Sequence, residues 1–428
     1  MKVLMFGWEF PPHIAGGLGT ACYGLVKGLM KKSLEVSFVV PKAYGDEDSR
    51  IRIVNASDIT LNIFDKHFIE FQNQLKYIEI NSTLLPYKTP EEYYRLINDS
   101  ENLNSEENKS IFSAKYKFSG KYGQNILEEV QRYALVAAEL AKNEQFDIIH
   151  AHDWLTYEAG IAAKKISGKP LVVHIHATEF DRSGENVNQL VYDIERKGMA
   201  EADRVIAVSN LTRNIVIEKY GIDPAKVKVV HNAVEPVEKM DFSNEKKTVE
   251  EKIVTFLGRI TFQKGPEYFV ESANKVMHKD ENVRFVMAGS GDMMEKMVKR
   301  VAKTRMGNKF HFTGFLKGDD VDRMFVLSDV YVMPSVSEPF GISPLEAMRS
   351  NVPVIISKQS GVAEVLKFAL KVDFWDVDAM SDYIHALLHY KGLTRMFTKY
   401  GKEEVDNLKW ENAAAKIADI YDNTLDNL

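Results

Sequence analysis

Cysteine is nearly absent from this sequence. Of 428 residues only Cys22 carries a thiol, so no disulfide can close within the chain and no cysteine pair can begin a zinc-finger spacing. Positive charge is not in excess either. Lys and Arg number 55 against 61 Asp and Glu, a formal net charge of -6, which denies a nucleic-acid partner its electrostatic footing. No apolar run approaches the roughly 20 residues that a bilayer-spanning helix needs. The opening MKVLMFGWEF has one lysine, a short apolar run and no small-residue cleavage site, so it does not read as a secretory leader. Sequons such as NDS at Asn98 then carry little meaning. These absences together predict a cytoplasmic protein that binds no nucleic acid and has no transmembrane segment, with peripheral membrane contact left open.

What is present is an ordinary globular composition, 45% hydrophobic and 27% charged, in a chain long enough for two cores. In the first half, short apolar runs alternate with helical periodicity. KVLMF is followed by a Gly/Pro-rich loop, then by Leu18, Cys22, Leu25 and Leu29 at helical spacing, then by LEVSFVV. FDIIHA, PLVVHIHA, DRVIAVS and KVKVVHNA continue the pattern. Such alternation predicts a parallel sheet with helices on both faces. From about 44 to 123 it lapses into Asn-, Ser-, Tyr- and charge-rich sequence, read as an insertion with strands at DITLNIF and KYIEI. The charged stretch from Glu235 to Lys252 reads as a linker, after which the alternation restarts at IVTFLGRI. The expected fold is α/β: an N-terminal Rossmann-like domain over 1–238, completed by a helix at about 410–428, and a C-terminal one over 245–408. Two such sheets face each other across a cleft, and ligands bind at the carboxyl ends of the strands.

Several loops at those ends carry chemistry. In SVSEPFGISPLEAM, Glu338 and Glu346 stand eight residues apart. Ser343 and Pro344 fit N-cap and N1 of a helix, which makes Glu346 the partner in a capping box. The amides of Gly341, Ile342 and Ser343 then favour an anion at the helix start. In TFLGRITFQKGPEYF, Arg259 and Lys264 fall in a strand-to-helix turn. A solvated surface pair is the bland reading. An arginine fork and a lysine point charge beside a helix end also suit a pyrophosphate, with no metal needed. Gly289 and Gly291 in VMAGSG are part of a dinucleotide fingerprint without its third glycine, and they allow close backbone approach. FTGF at 312–315 suits either the wall of a base pocket or core packing. Gly16, Gly17 and Gly19 open the first helix, as a tight turn or as a phosphate approach. Trp8 and Glu9 beside them suit a sugar face. His150 and His152, like His174 and His176, share a strand face by alternation. The later members, His152 and His176, are read as cleft residues and the earlier ones as satisfied core histidines. No zinc pattern is recognisable among them.

Together these motifs resemble the retaining nucleotide-sugar glycosyltransferases of the GT-B fold, over nearly the whole chain except the insertion. EPFGISPLE, an E-x7-E, and GR…QKG are the most specific elements. WEFPP…GGLG and HAHDW look like the glycogen and starch synthases and their family-4 relatives, which usually carry Lys-Thr where this sequence has Ile14 and Ala15. The resemblance implies that Arg259 and Lys264 bind the donor diphosphate and stabilise the departing phosphate. It implies that Glu338 contacts donor-sugar hydroxyls, that Glu346 binds the ribose, and that His152 or His176 lies near the reacting carbon. Gly17 would approach the phosphates through its backbone. The implied activity is metal-independent, retaining transfer of a hexose such as glucose to a glycan such as α-1,4-glucan, with a nucleotide sugar as substrate and no cofactor. Another sugar, a lipid or a small-molecule acceptor, is the alternative within the class. A metal-dependent transferase would need a D-x-D, and the two DVD stretches at Asp320 and Asp376 read as helix caps. An NAD oxidoreductase is opposed by the incomplete glycine fingerprints. A non-catalytic nucleotide-sugar sensor would use the same cationic loop.

Overall fold

The computed structural model describes residues 1–13, 16–61, 115–123, 125–235, 247 and 249–427. The first domain contains β1 (Lys2–Phe6), α1 (Gly17–Lys31), β2 (Glu35–Val40), β3 (Arg52–Asn55), α2 (Ile126–Asn143), β4 (Ile148–His152), α3 (Trp154–Ser167) and β5 (Leu171–Ile175). It continues through α4 (Glu179–Ser183), α5 (Gln189–Glu201), β6 (Arg204–Ala207), α6 (Asn210–Tyr220) and β7 (Val227–Val229). The seven strands pair in parallel in the order β3-β2-β1-β4-β5-β6-β7. β4 and β5 are buried along their whole length and β1 along all but its first residue. That explains why their sequences read as continuous apolar runs rather than alternating ones.

The second domain contains β8 (Lys252–Leu257), α7 (Pro266–Met277), β9 (Val283–Ala288), α8 (Met294–Lys303), β10 (Phe310–Gly314), α9 (Asp319–Leu327) and β11 (Val330–Met333). After these come α10 (Ser343–Arg349), β12 (Val354–Ser357), β13 (Leu370–Val372), α11 (Val377–His389) and α12 (Lys391–Val405). Its six strands are also parallel, in the order β10-β9-β8-β11-β12-β13. The molecule is therefore two Rossmann-like sheets, the GT-B architecture.

A last helix, α13 (Trp410–Leu425), lies on α1 of the first domain, where Trp410, Ala414, Ile417 and Tyr421 join the core. Gly24 and Gly28 make room for it: a Cβ at Gly24 would fall 2.2 Å from the Trp410 indole nitrogen. Two further ties cross near the same place. Lys27 pairs with Glu235 at 2.9 Å, and the Arg349 guanidinium donates to the Glu235 carbonyl.

Two readings of the insertion need correction. β3 lies within it and forms the edge strand of the first sheet. The expected strand DITLNIF begins instead with Asp58 in a 3-10 turn and irregular chain to residue 61. Its remainder, and KYIEI, lie outside the described residues, as does most of the linker; Lys252 already belongs to β8. The far end of the insertion is anchored, since Tyr116 and Phe118 are buried in the first core.

Candidate active site

In an open parallel sheet, the strand order reverses at one place, and a crevice opens there at the carboxyl ends. The first sheet reverses between β1 and β4, so its crevice is walled by the loops after Phe6 and after His152. The second reverses between β8 and β11, between the loops after Leu257 and after Met333. Those four loops carry Trp8–Glu9, Asp153, Arg259–Lys264 and Glu338.

In the second domain the two loops are joined. The Lys264 ammonium donates to Glu338 Oε2, and the Ser335 hydroxyl donates to the same oxygen at 3.2 Å. The amide of Val336 donates to the Gln263 carbonyl at 2.9 Å, while the Gln263 side chain accepts from Arg259 at 3.2 Å. Arg259 is exposed, Lys264 partly buried and Glu338 buried. Glu338 is held at both ends of its peptide, by its amide to Gln359 and its carbonyl to Gly361. The chain then turns at Gly341, with φ 98°, where a side chain would be strained and a Cβ would stand 3.1 Å from Glu338 Cγ.

The capping box does not form. Ser343 is the first residue of α10, Ile342 precedes it in helical conformation (φ -80°, ψ -34°), and no side chain caps that end. The Ser343 hydroxyl pairs with Tyr331 on β11 at 2.8 Å instead. Glu346 is thus released from any capping duty. Burial pushes its carboxyl up, against the pull of Arg349. Of the two DVD stretches, Asp376 does cap α11, through the amide of Ala379, whereas Asp320 sits inside the first turn of α9.

Gly289 and Gly291 also have a different neighbour from the one expected. A Cβ at Gly289 would lie 1.8 Å from the Gly258 carbonyl oxygen, and one at Gly291 would lie 2.3 Å from that of Ile260. Their close backbone approach is to the Arg259 loop, which they support from behind. Gly17 is open on its side-chain face, while Gly16 faces the Glu9 carboxylate at 3.0 Å. Ile14 and Ala15 lie outside the described residues.

Glu9 sits at the start of α1, accepting from the Gly19 amide at 3.3 Å and from the Tyr122 hydroxyl. Burial pushes its carboxyl up; these donors and the charge of Arg259 oppose that. Arg259 therefore acts across the cleft on the first domain. Asp153 holds a positive φ of 57°, unusual for a residue with a side chain. Its carboxylate accepts from the amide of His176 at 2.6 Å and of Ala177 at 3.4 Å, and burial pushes it up to about 7. That carboxylate fixes the loop in which His176 sits.

The histidines are arranged differently from the reading of His152 and His176 as cleft residues and of His150 and His174 as satisfied core ones. His152 is fully buried, no more exposed than His150, and only His176 has partial exposure. His150 is bonded on one side, to Tyr421, whereas neither ring nitrogen of His174 has a partner among the described residues. His152 Nδ1 meets His176 Nε2 at 3.0 Å. Burial holds all four rings well toward the neutral form.

Two contacts close the cleft's flank. Ser337 donates to Asp181, at the start of α4, at 2.5 Å. Glu364 of the second domain accepts from the amides of Asn210 (2.9 Å) and Leu211 (2.8 Å) at the start of α6, and from His231 (2.9 Å). Asp153, Asp181 and Glu364 were missed by sequence reasoning. A carboxylate at the end of the HAHD strand was a usable signal for the first; the others depend on partners more than 150 residues away.

Chemically, the second domain presents a guanidinium, an ammonium and the start of α7 around one crevice, with Glu338 beside them. The first presents buried carboxylates and neutral imidazoles. Such a set can hold a diphosphate and a polyol between its faces.

Comparison with known proteins agrees with this geometry. Residues 115–238 match the family Glycosyltransferase Family 4, and residues 237–404 match Glycosyl transferases group 1. An uncharacterized glycosyltransferase of Methanocaldococcus jannaschii is 28% identical, with 98% of each chain covered. A glycogen synthase of Mycobacterium tuberculosis is 20% identical over 98% of this chain and 94% of its own. Among solved structures, Anabaena HepE in complex with UDP-glucose superposes with a TM-score of 0.65 at 17% identity, covering 99% of this chain and 100% of that one. With one signature in each domain and the architecture they share, the chain is a GT-B glycosyltransferase of the group 1, family 4-like type.

Proposed function

We propose that the chain is a retaining hexosyltransferase that moves glucose from a nucleoside-diphospho-glucose to an α-1,4-glucan or a related glycan, with no divalent ion at the diphosphate. The observation that carries this reading is the junction of Lys264 with Glu338 at the second sheet's reversal, beside the Arg259–Gln263 bond of the same loop. The glycogen synthase likeness supports the acceptor class, and the UDP-glucose held by the HepE structure supports the donor class.

Breaking the bond between the sugar's C1 and the phosphate oxygen puts negative charge on that oxygen. Arg259 and Lys264, with the amide end of α7 behind them, face that charge and stabilise it; such preorganised positive groups are each worth about 10²–10³ in rate. Lys264 exchanges Glu338 for the diphosphate when donor enters, which leaves Glu338 to accept from sugar hydroxyls. Glu346 takes the ribose hydroxyls. His176, at the partly open edge of the histidine group, is the imidazole placed to meet the sugar. The sugar centre passes through an oxocarbenium-like state. The departing phosphate oxygen takes the acceptor hydroxyl's proton as the new C1–O bond forms on the same face, so the anomeric configuration is kept.

The test is a donor screen. UDP-, ADP- and GDP-hexoses are offered with glycogen, maltooligosaccharides, small sugars and lipid acceptors, and the product anomer is read by NMR. A nucleoside diphosphate released with an α-linked glucan supports the proposal. An inverted product contradicts it, and tight donor binding with no transfer to any acceptor assigns the site to sensing instead.

A further inference from the structure

The interior of the first domain holds polar groups that sugar transfer does not use. His150 and His152 on β4 and His174 on β5 project from one face of two neighbouring strands, with His152 in register with His174. Their ring centroids form a triangle with sides of 4.3, 5.2 and 5.3 Å. All three are buried, at 0–2% exposure. Adjacent interior positions of parallel strands ordinarily carry aliphatic side chains; here they carry imidazoles.

Their hydrogen bonding is incomplete in a directed way. His150 uses Nδ1 toward the Tyr421 hydroxyl, and His152 uses Nδ1 toward His176. The remaining nitrogens, His150 Nε2, His152 Nε2 and both of His174, have no partner among the described residues. Buried polar atoms are nearly always paired, and each orphan calls for an explanation. One atom from each ring lies within 4.8 Å of the others. Cys22 and His176 border His152 at the same range. Metal-bound histidines characteristically use their second nitrogen to hold the ring in place, and the outward bonds of His150 and His152 have that form. A neutral imidazole bonded through one nitrogen keeps the lone pair of the other for an ion.

We propose that His150, His152 and His174 are the protein ligands of one late first-row transition ion, of the zinc class, bound within the first domain behind the cleft. Neutral imidazoles are the ligand type such ions favour. Tyr421 would make the ion a clasp for α13, since it ties that helix to His150. The expectation of a chain without any metal is revised to this extent. The diphosphate chemistry is separate, because it resides at Arg259 and Lys264.

The experiment uses the full chain with no histidine tag. Zinc per chain is measured in the purified protein, and chelator-treated protein is titrated with Co2+ while its visible absorption is followed. The proposal expects one ion per chain, a ligand-field band that Zn2+ abolishes, and a Tm that rises with added Zn2+. His174→Ala should remove all three, as should the better-packed His174→Asn, while the exposed His389→Ala removes none. Far-UV circular dichroism establishes that the variants are folded. A parent chain that retains no zinc and gives no cobalt band overturns the proposal, and so does a band unchanged in both His174 variants.

Discussion

The Ser337 hydroxyl, one residue before Glu338, donates at 2.5 Å to the Asp181 carboxylate on the opposite wall of the cleft. Asp181 also accepts from the amide and hydroxyl of Thr178, and burial pushes its carboxyl up despite these donors. The bond couples the Glu338 loop to the segment that carries His176. Ser337→Ala leaves a buried acceptor short of one donor, at a cost of about 1–3 kcal/mol. Donor KM should rise several-fold, and Tm should fall modestly, since Thr178 serves only the other oxygen of Asp181. Steady-state kinetics with the donor varied checks this; an unaltered KM would detach Ser337 from donor binding.

Glu364 governs a second interdomain contact and gives it a pH dependence. Burial alone would raise its carboxyl, but His231 and the amides of Asn210 and Leu211 outweigh that and bring it from 4.5 down to about 2. A carboxyl depressed in the folded state adds stability above its unfolded value and loses it as pH falls through the folded one. The contact should therefore weaken between about pH 4.5 and 2. Glu364→Gln should lower Tm at pH 7 and flatten the Tm profile across that acid window. Thermal melts of both proteins from pH 7 to pH 3 read the difference, and parallel profiles would rule the contact out.

Gly24 and Trp410 test the seat of the last helix. A Cβ at Gly24 would overlap the indole at 2.2 Å, so Gly24→Val must push α13 off α1. Overpacking of this kind costs about 1–3 kcal/mol. Tryptophan emission should shift to the red as Trp410 meets water, and Tm should fall. An unchanged spectrum and Tm would mean that the helix is held elsewhere.

Much of the architecture was legible because parallel strands covered on both faces announce themselves as apolar runs, as at Lys2–Phe6 and Leu171–Ile175. β3 was not, because its four residues, RIVN, are too few and too exposed to stand out in a polar stretch. Arg259, Lys264 and Glu338 could be gathered from their places after strands. The capping box failed because a tertiary partner, Tyr331, takes the Ser343 hydroxyl that local sequence assigns to the helix end. His152 looked like a strand-tip residue open to the cleft, yet strand alternation gives the face a side chain takes and not its depth. Glu364 has no local signature, and that of Asp181 is a capping box with Thr178 that says nothing of Ser337; each acquires its place in the cleft from a residue of the other domain.

The central claim is that two fixed cations hold the departing nucleotide without a divalent ion. Its most direct measurement is nucleoside diphosphate release from the nucleotide sugar identified by the donor screen, with Mg2+ and Mn2+ withheld, for the parent chain, Arg259→Ala and Lys264→Ala. The account predicts a parent rate that added Mg2+ does not raise, and a fall of about 10²–10³ in kcat for each variant. A parent rate that depends on Mg2+, or variants that turn over undiminished, would contradict it.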